Sequence, residues 1–225
     1  MPGPLIIFII CIFIAIFVLS MMQSSKRTRE WQAFAQAHHL AFSHSDIYEL
    51  PERYIHFDLF KDGKLKVADN LCYGNHQGLE IITCDYQYTV DSGKRSQTGY
   101  FNVLILETPL EFQPLLLRRE HVVDKLGSAV GFEDINFESA EFSRTFRVKS
   151  SDKKFAYDVF HPRMMELFLS NTDVFFEAQG SAIVMYQRGT QAIAQMEVLL
   201  TFAHQFMELI PAYLKKDMDT KVKGN

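Results

Sequence analysis

Residues 79–90 read LEIITCDYQYTV, and their alternation decides the architecture. Glu80, Ile82, Cys84, Tyr86, Tyr88 and Val90 fall on one face, and Ile81, Thr83, Asp85, Gln87 and Thr89 on the other. Only the first face is strongly apolar, which is the mark of a half-buried β-strand, because successive side chains of an extended chain point to opposite sides. The polar residues 91–96 then turn the chain, and 97–107 return as a second strand. A symmetric hairpin sets Tyr86 against Phe101, Cys84 against Val103 and Ile82 against Ile105, one apolar ladder across two strands.

Working outward toward the N-terminus, Leu65, Val67 and Leu71 lie among polar residues between 64 and 73, and Gly74-Asn75-His76-Gln77-Gly78 reads as the turn into 79–90. That register puts Cys72 opposite about position 80 and away from Cys84. Residues 46–60 hold Pro51 and scattered aromatics, and read as a loop or irregular packing segment. Trp31, Phe34, Ala35, His38 and Ala41 recur at three- and four-residue spacing, which predicts an amphipathic juxtamembrane helix over 26–45. Its apolar face can lie on a membrane surface, with Lys26, Arg27 and Arg29 among headgroups and Trp31 at the interface, or pack on the domain. The pattern leaves both open.

Toward the C-terminus, Phe132, Ile135, Phe137, Phe142, Phe146 and Val148 suggest one or two more strands around a loop. Pro162 suits the first position of a helix over 162–169, where a missing N–H leaves no bond unmade. Residues 174–179 and 182–187 flank Gly180-Ser181, the two-residue loop of a type II′ hairpin, which sets Phe176 against Met185. Ile193, Met196, Leu200, Ala203, Met207, Ile210 and Leu214 give a long helix over 190–215, interrupted late by Pro211. Residues 217–225 read as a frayed tail. No repeat or flexible linker divides the remainder, so 46–216 form one α+β domain, a largely antiparallel sheet packed by a long C-terminal helix.

Residues 5–22, LIIFIICIFIAIFVLSMM, form an uncharged run of 18 residues. As a helix the run spans roughly 27 Å, the thickness of a bilayer's hydrocarbon, and it lacks the polar stripe of a buried core helix. A cleaved signal would show a basic start, a shorter apolar core and small residues at a cleavage site, and none of these is present. Residues 1–25 are therefore predicted to be a transmembrane anchor and joint, in contact with the lipid bilayer through 5–22. Lys26, Arg27 and Arg29 follow the run and place the N-terminus outside and the domain in the cytoplasm. With 225 residues and 48% apolar content the chain can bury a substantial core, and 27 acids against 23 bases (formal charge −4) argue against nucleic acid as a partner. Three cysteines are too few for a disulfide scaffold and fit a reducing compartment.

Candidate chemistry is sparse. Cys72, His76 and Cys84 lack the close Cys-x-x-Cys pair of a structural zinc site, and His38, His39 and His44 lack the i,i+4 spacing of a helical metal site. Phosphate loops, dinucleotide fingerprints, nucleophile elbows and His-Glu-x-x-His pairs are absent, so neither a catalytic residue, a metal nor a cofactor is assigned. Charge concentrates at Glu141, Arg144 and Arg147, and at His161, Arg163 and Glu166. Arginines near a helix start can hold a phosphate, a lipid headgroup or a carboxylate, or they can be a solvated face with internal ion pairs. Gly127 and Gly131 have the spacing of a helix-dimer motif but lie outside the apolar run.

Four pieces, Trp31-Gln32-Ala33-Phe34-Ala35, Asp85-Tyr86-Gln87-Tyr88, residues 137–148 with Glu-Phe-x-Arg-x-Phe-x-Val, and His161-Pro162-Arg163-Met164-Met165-Glu166-Leu167, carry a resemblance. They are similar to the corresponding pieces of an uncharacterised family of bacterial membrane-anchored proteins, over most of residues 30–215. The resemblance implies a bacterial inner-membrane setting and brings no reaction, ligand or site. The expectation is a non-enzymatic interaction or scaffold module at the bacterial cytoplasmic membrane, with a protein partner there. The alternatives are a sensor or binding module for an anionic headgroup or nucleotide, through Glu141, Arg144, Arg147, His161 and Arg163, and a hydrolase-like enzyme built on the scattered histidines.

Overall fold

In a computed structural model, which describes residues 3–61, 63–93, 95–119, 133–189 and 193–223, the chain opens with one unbroken helix, α1 (Gly3–Ala37). The edge strand β1 (Ala41–Ser45) follows, then two single-turn helices, α2 (Leu50–Arg53) and α3 (Asp58–Lys61). Three long strands come next: β2 (Lys64–His76), β3 (Leu79–Ser92) and β4 (Arg95–Arg119). After β5 (Glu133–Ile135), α4 (Ala140–Thr145), β6 (Phe146–Ser150), α5 (Lys153–Val159) and α6 (Pro162–Leu169), the chain makes β7 (Phe175–Arg188), α7 (Ile193–Leu209) and α8 (Ala212–Lys223). The domain is α+β, and every strand pairing in its seven-stranded sheet is antiparallel.

β4 is the spine. Its residues 101–107 pair with both β3 and β7, and 115–117 with both β6 and β7. A strand has two edges, so β3 and β6 share one edge in succession and β7 takes the other. The predicted hairpin register holds at each pair: Tyr86 faces Phe101, Cys84 faces Val103 and Ile82 faces Ile105. At the preceding hairpin the turn is shorter than predicted. β2 continues through His76, and only Gln77 and Gly78 turn, both at positive φ (50° and 88°) as a type I′ turn requires. Cys72 consequently faces Thr83 rather than position 80, and because Cys84 lies on the other side of the sheet the two thiols do not meet.

The predicted hairpin at Gly180-Ser181 is not a hairpin. β7 runs through it as one strand along β4, with Gly180 at φ 61° opposite Phe112 and a register shift on either side. Phe176 pairs with Leu117 and Met185 with Leu104. A glycine at positive φ serves a bulge as well as a turn, and the partner strand decides which: 25-residue β4 offers pairing on both sides of the glycine.

The sheet buries both faces. On one side lie α1, α5, α6 and α7, with Phe168 ringed at 5.0–6.4 Å by Phe146, Phe160, Phe176, Phe202 and Phe206, mostly edge to face. On the other side Leu50, Tyr54, Phe57, Leu59 and Phe60 cover Ile82, Cys84, Tyr86, Val103, Ile105 and Tyr186. The stretch 46–60, expected to be irregular, is thus a lid of two short helices whose aromatics close the second core.

Three further boundaries differ from expectation. Residues 23–25, expected to be a joint, and the helix expected over 26–45 are one helix through Ala37, residues 41–45 are strand, and the segment beyond 216 is helical to Lys223, where Leu214 and Met218 are buried. α7 and α8 break at Pro211, as predicted. Trp31, Phe34 and Ala35 are buried in the domain core, which settles the choice between membrane surface and domain for that face. Among the described residues no helix is long and apolar enough to cross a membrane; the side chains at 5, 7, 15, 17, 18, 20 and 21 of the apolar run lie outside them. Phe132, Gly127, Gly131 and residues 190–192 also lie outside the described residues.

Candidate functional site

The five residues singled out for anion binding fall in three places. Glu141 and Arg144 lie exposed on α4, a helix six residues long capped by Ser139 Oγ, which accepts from the Phe142 N–H. Arg144 Nε donates to the Ala140 carbonyl of its own helix. Arg147 lies on β6 with Asp134 of β5 at 3.7 Å. His161 stands just before α6, its Nε2 donating to the Leu209 carbonyl at 2.9 Å, which ties the start of α6 to the end of α7. Arg163 and Glu166 line a shallow groove between α6 and α7 with Ser170, Asn171, Gln205 and Glu208.

Charged and polar groups converge instead where α1 crosses the sheet. Asp85 takes Arg27 in a two-pronged pair, Nε to Oδ2 at 2.9 Å and Nη2 to Oδ1 at 2.6 Å. Trp31 Nε1 donates to Oδ2 at 2.7 Å, and Asn70 and Asn102 donate at 3.2 and 3.4 Å. The Arg27 guanidinium lies over the Trp31 ring, 5.4 Å from its centroid. Alternation puts Asp85 on the polar face of β3, and α1 arrives on that face with its Arg and Trp one turn apart. Two-pronged geometry fixes the angle of the guanidinium as well as its distance, so the node holds the helix in one orientation on the sheet.

One layer further along α1, three imidazoles form a chain. His38 Nε2 is 2.9 Å from Glu197 Oε1, His38 Nδ1 is 3.2 Å from His76 Nε2, and His76 Nδ1 is 2.8 Å from His204 Nε2. A carboxylate only accepts, so it fixes the tautomers when all three rings are neutral: His38, His76 and His204 each donate from Nε2, and His38 and His76 accept at Nδ1. The chain joins α1, β2 and α7. Burial lowers the pKa of His76, helped by His204 and His38, and burial lowers that of His204. Sequence reasoning placed His38 and His76 in separate sets and passed over His204; contacts across 38 and 128 residues leave no local signal.

A third node ties the aromatic lid down. Glu177, buried on β7, accepts from the backbone N–H of Asp58 at 2.7 Å, from Tyr186 Oη at 3.0 Å and from Arg118 at 3.4 Å, and Arg118 also reaches Asp58 at 3.1 Å. Burial pushes the Glu177 carboxyl up from its ordinary value, with Arg118 opposing. The adjacent cavity, lined by His56, Asp58, Lys149 and Glu177 among others, measures about 50 Å³, room for a water or two and not for a substrate. Both core thiols are poor nucleophiles: burial pushes Cys72 up to about 12 and Cys84 well above the ordinary range. Among the described residues no group of three or more His, Cys, Asp or Glu is arranged to hold a metal ion.

Two outcomes test these assignments. Asp85→Asn keeps the shape of the side chain but removes the charge facing Arg27, and is expected to lower stability by about 2 kcal/mol, measured by thermal or denaturant unfolding in detergent. For the histidine chain the sign follows from the lowered folded-state pKa values. The folded state favours neutral rings, so this stability is full above the unfolded value of 6.5 and is lost as pH falls through the folded ones. Melting temperature is expected to drop between pH 7 and pH 5, and His204→Gln to flatten that drop.

No family model matches the chain, and no curated protein matches it. Among solved structures the chain is similar to the crystal structure of the mycobacterial trehalose monomycolate transport factor A, TtfA, with a TM-score of 0.63 over 81% of this chain and 93% of that one. The sequences are 14% identical, and the likeness is one of fold.

Proposed function

We propose that this chain is a single-pass membrane-anchored, non-enzymatic interaction module of the bacterial cytoplasmic membrane, with residues 5–22 in the bilayer and the sheet domain in the cytoplasm. The observation that carries the reading is the first half of α1. Ile6, Phe8, Ile9, Ile10, Ile12, Phe13, Ile14, Ile16, Leu19 and Met22 are 43–68% exposed, and they occupy every side of the helix. In water each such side chain forgoes about 1.5–3 kcal/mol of burial, and an all-round apolar helix has no core-facing stripe that a domain could cover. A bilayer supplies the missing environment over roughly the length of the run.

The change of character along one helix supports the same reading. Past Met22 the helix acquires Lys26, Arg27 and Arg29, and then Trp31, Phe34 and Ala35 sink into the domain core. The basic residues on that side favour a cytoplasmic domain. The polar nodes are spent on holding elements together, which suits a rigid platform for a partner better than a reaction centre. A transport factor in name shares the fold, and a protein partner in a membrane transport process is the class we would look for first.

Alkaline carbonate is expected to leave the protein in the membrane pellet, and a reporter that is active only in the periplasm, fused after Asn225, is expected to stay silent. Release into the wash contradicts the anchor, and an active reporter contradicts the orientation.

A further inference from the structure

We propose that the outer edge of β1 is a strand-addition site, at which an extended segment of another protein pairs with residues 41–44 and continues the sheet. This rests on residues 5–22 being the span.

Among the described residues β1, β5 and β7 each pair on one side only. β5 is three residues long, carries Glu133 and Asp134, and has Arg147 of β6 at 3.7 Å from Asp134, so its edge is short and charged. β7 is buried over residues 175–178 and 182–187. β1 is different: Ala41, His44 and Ser45 are exposed, and Phe42 and Ser43 are half-buried, although β2 fills its inner side. Its sequence, Ala-Phe-Ser-His-Ser, holds no acid, lysine or proline, and its register against β2 runs without a shift. Charge, proline and bulges are the devices that keep an open edge from pairing, and β1 has none of them.

The chain beyond β1 turns away from this edge. Asp46 accepts from the N–H groups of Tyr48 and Leu50, and Tyr48 stands edge-on to the Tyr73 ring at 5.2 Å, which carries 48–60 onto the lid face of the sheet. Ser43 Oγ donates to the Ser45 carbonyl at 2.7 Å and ends the open stretch there, leaving 41–44.

An open edge offers a row of main-chain N–H and C=O groups, and another extended chain is what matches such a row. The anchor excludes a second copy of this chain as that strand. Two identical edges meet about a two-fold axis perpendicular to the sheet and run antiparallel. α1 lies on the sheet over about three turns, from Arg27 at Asp85, past the Trp31 carbonyl at Cys72, to His38 at His76. The two-fold reverses every direction parallel to the sheet, so the two apolar runs would point opposite ways and could not share one bilayer. The occupant is therefore a segment of a different protein, in keeping with an interaction module. Alternation sets its side chains: Phe42, half-buried against the core on the α1 side, takes an apolar residue beside it, and Ala41 and Ser43 take small or polar ones.

The test uses the full chain in phosphatidylcholine nanodiscs. Short peptides selected on it from a random phage-displayed library are synthesised, and amide hydrogen exchange is followed residue by residue by NMR with and without them. Alternate amides within 41–44 are expected to exchange about tenfold faster than their neighbours, and a bound peptide to slow them by about the same factor. N-methylation of the alternate peptide residues that face β1 is expected to abolish binding, and methylation of the intervening set to leave it intact. A library that yields no binder, peptides that bind without protecting 41–44, or equal tolerance of both methylation sets overturns strand addition. Rapid disulfide cross-linking of two copies through Ser43→Cys, in protein with Cys11→Ser, assigns the edge to a second copy and overturns the separate partner. Carbonate resistance without protection at 41–44 overturns this site and leaves the span standing, whereas protection in a protein that carbonate releases overturns the span and leaves the edge standing.

Discussion

The pairing of Arg27 with Asp85 is the constraint on which the rest of the molecule's geometry depends. It adds a directional, charged tie to a helix whose far half is already held by the buried face of Trp31, Phe34 and Ala35. With it, and with Trp31 donating to the same carboxylate, the helix that emerges from the apolar run is docked on the sheet within two turns. Neither Arg27 nor Asp85 is fully buried, their side chains being 16% and 23% exposed, so the pair keeps much of its Coulombic attraction while avoiding the full desolvation penalty of an interior ion pair. The histidine chain repeats the same task farther along α1, adding α7 to the joint.

Local pattern made part of this legible. The alternation of 79–90 and 97–107 carried the hairpin register because each strand keeps its apolar set on one side, and a slip by one residue would turn Ile82, Cys84 and Tyr86 to the wrong face. Pro211 marked the break between α7 and α8 because a missing N–H is a local fact. The same local logic fails where a distant partner decides. Gly180 looks identical in a turn and in a bulge, and only β4, some seventy residues away, makes it a bulge. Residues 46–60 show no period because their aromatics meet the sheet one at a time from two short helices. Tail helicity escaped notice because two residues, Leu214 and Met218, anchor it.

The candidate site was less legible for the same reason. Arginines dense in sequence do not share a site: Arg144 bonds to its own helix, Arg147 faces Asp134 and Arg163 lines the groove between α6 and α7. The groups that do converge, Arg27 with Asp85 and His38 with His76 and His204, come from segments that carry no shared motif. Asp85 gave the one available hint, an acid on the polar face of a strand that proved to be covered. Nucleophile and metal readings lose ground on environment rather than on composition: the thiols are buried in apolar surroundings, and the histidines bond to one another in sequence instead of pointing at a common centre.

α1 is a single stiff rod whose angle to the sheet is fixed by these contacts. Pulsed electron-spin distance measurements between nitroxides at Leu19→Cys and Tyr100→Cys, both exposed positions, read that angle in reconstituted full-length protein lacking Cys11. One narrow distance distribution is expected, broadening when Asp85 is changed to Asn. A broad distribution already present with Asp85 intact would mean instead that the chain hinges between its apolar run and its sheet, and that no fixed angle exists.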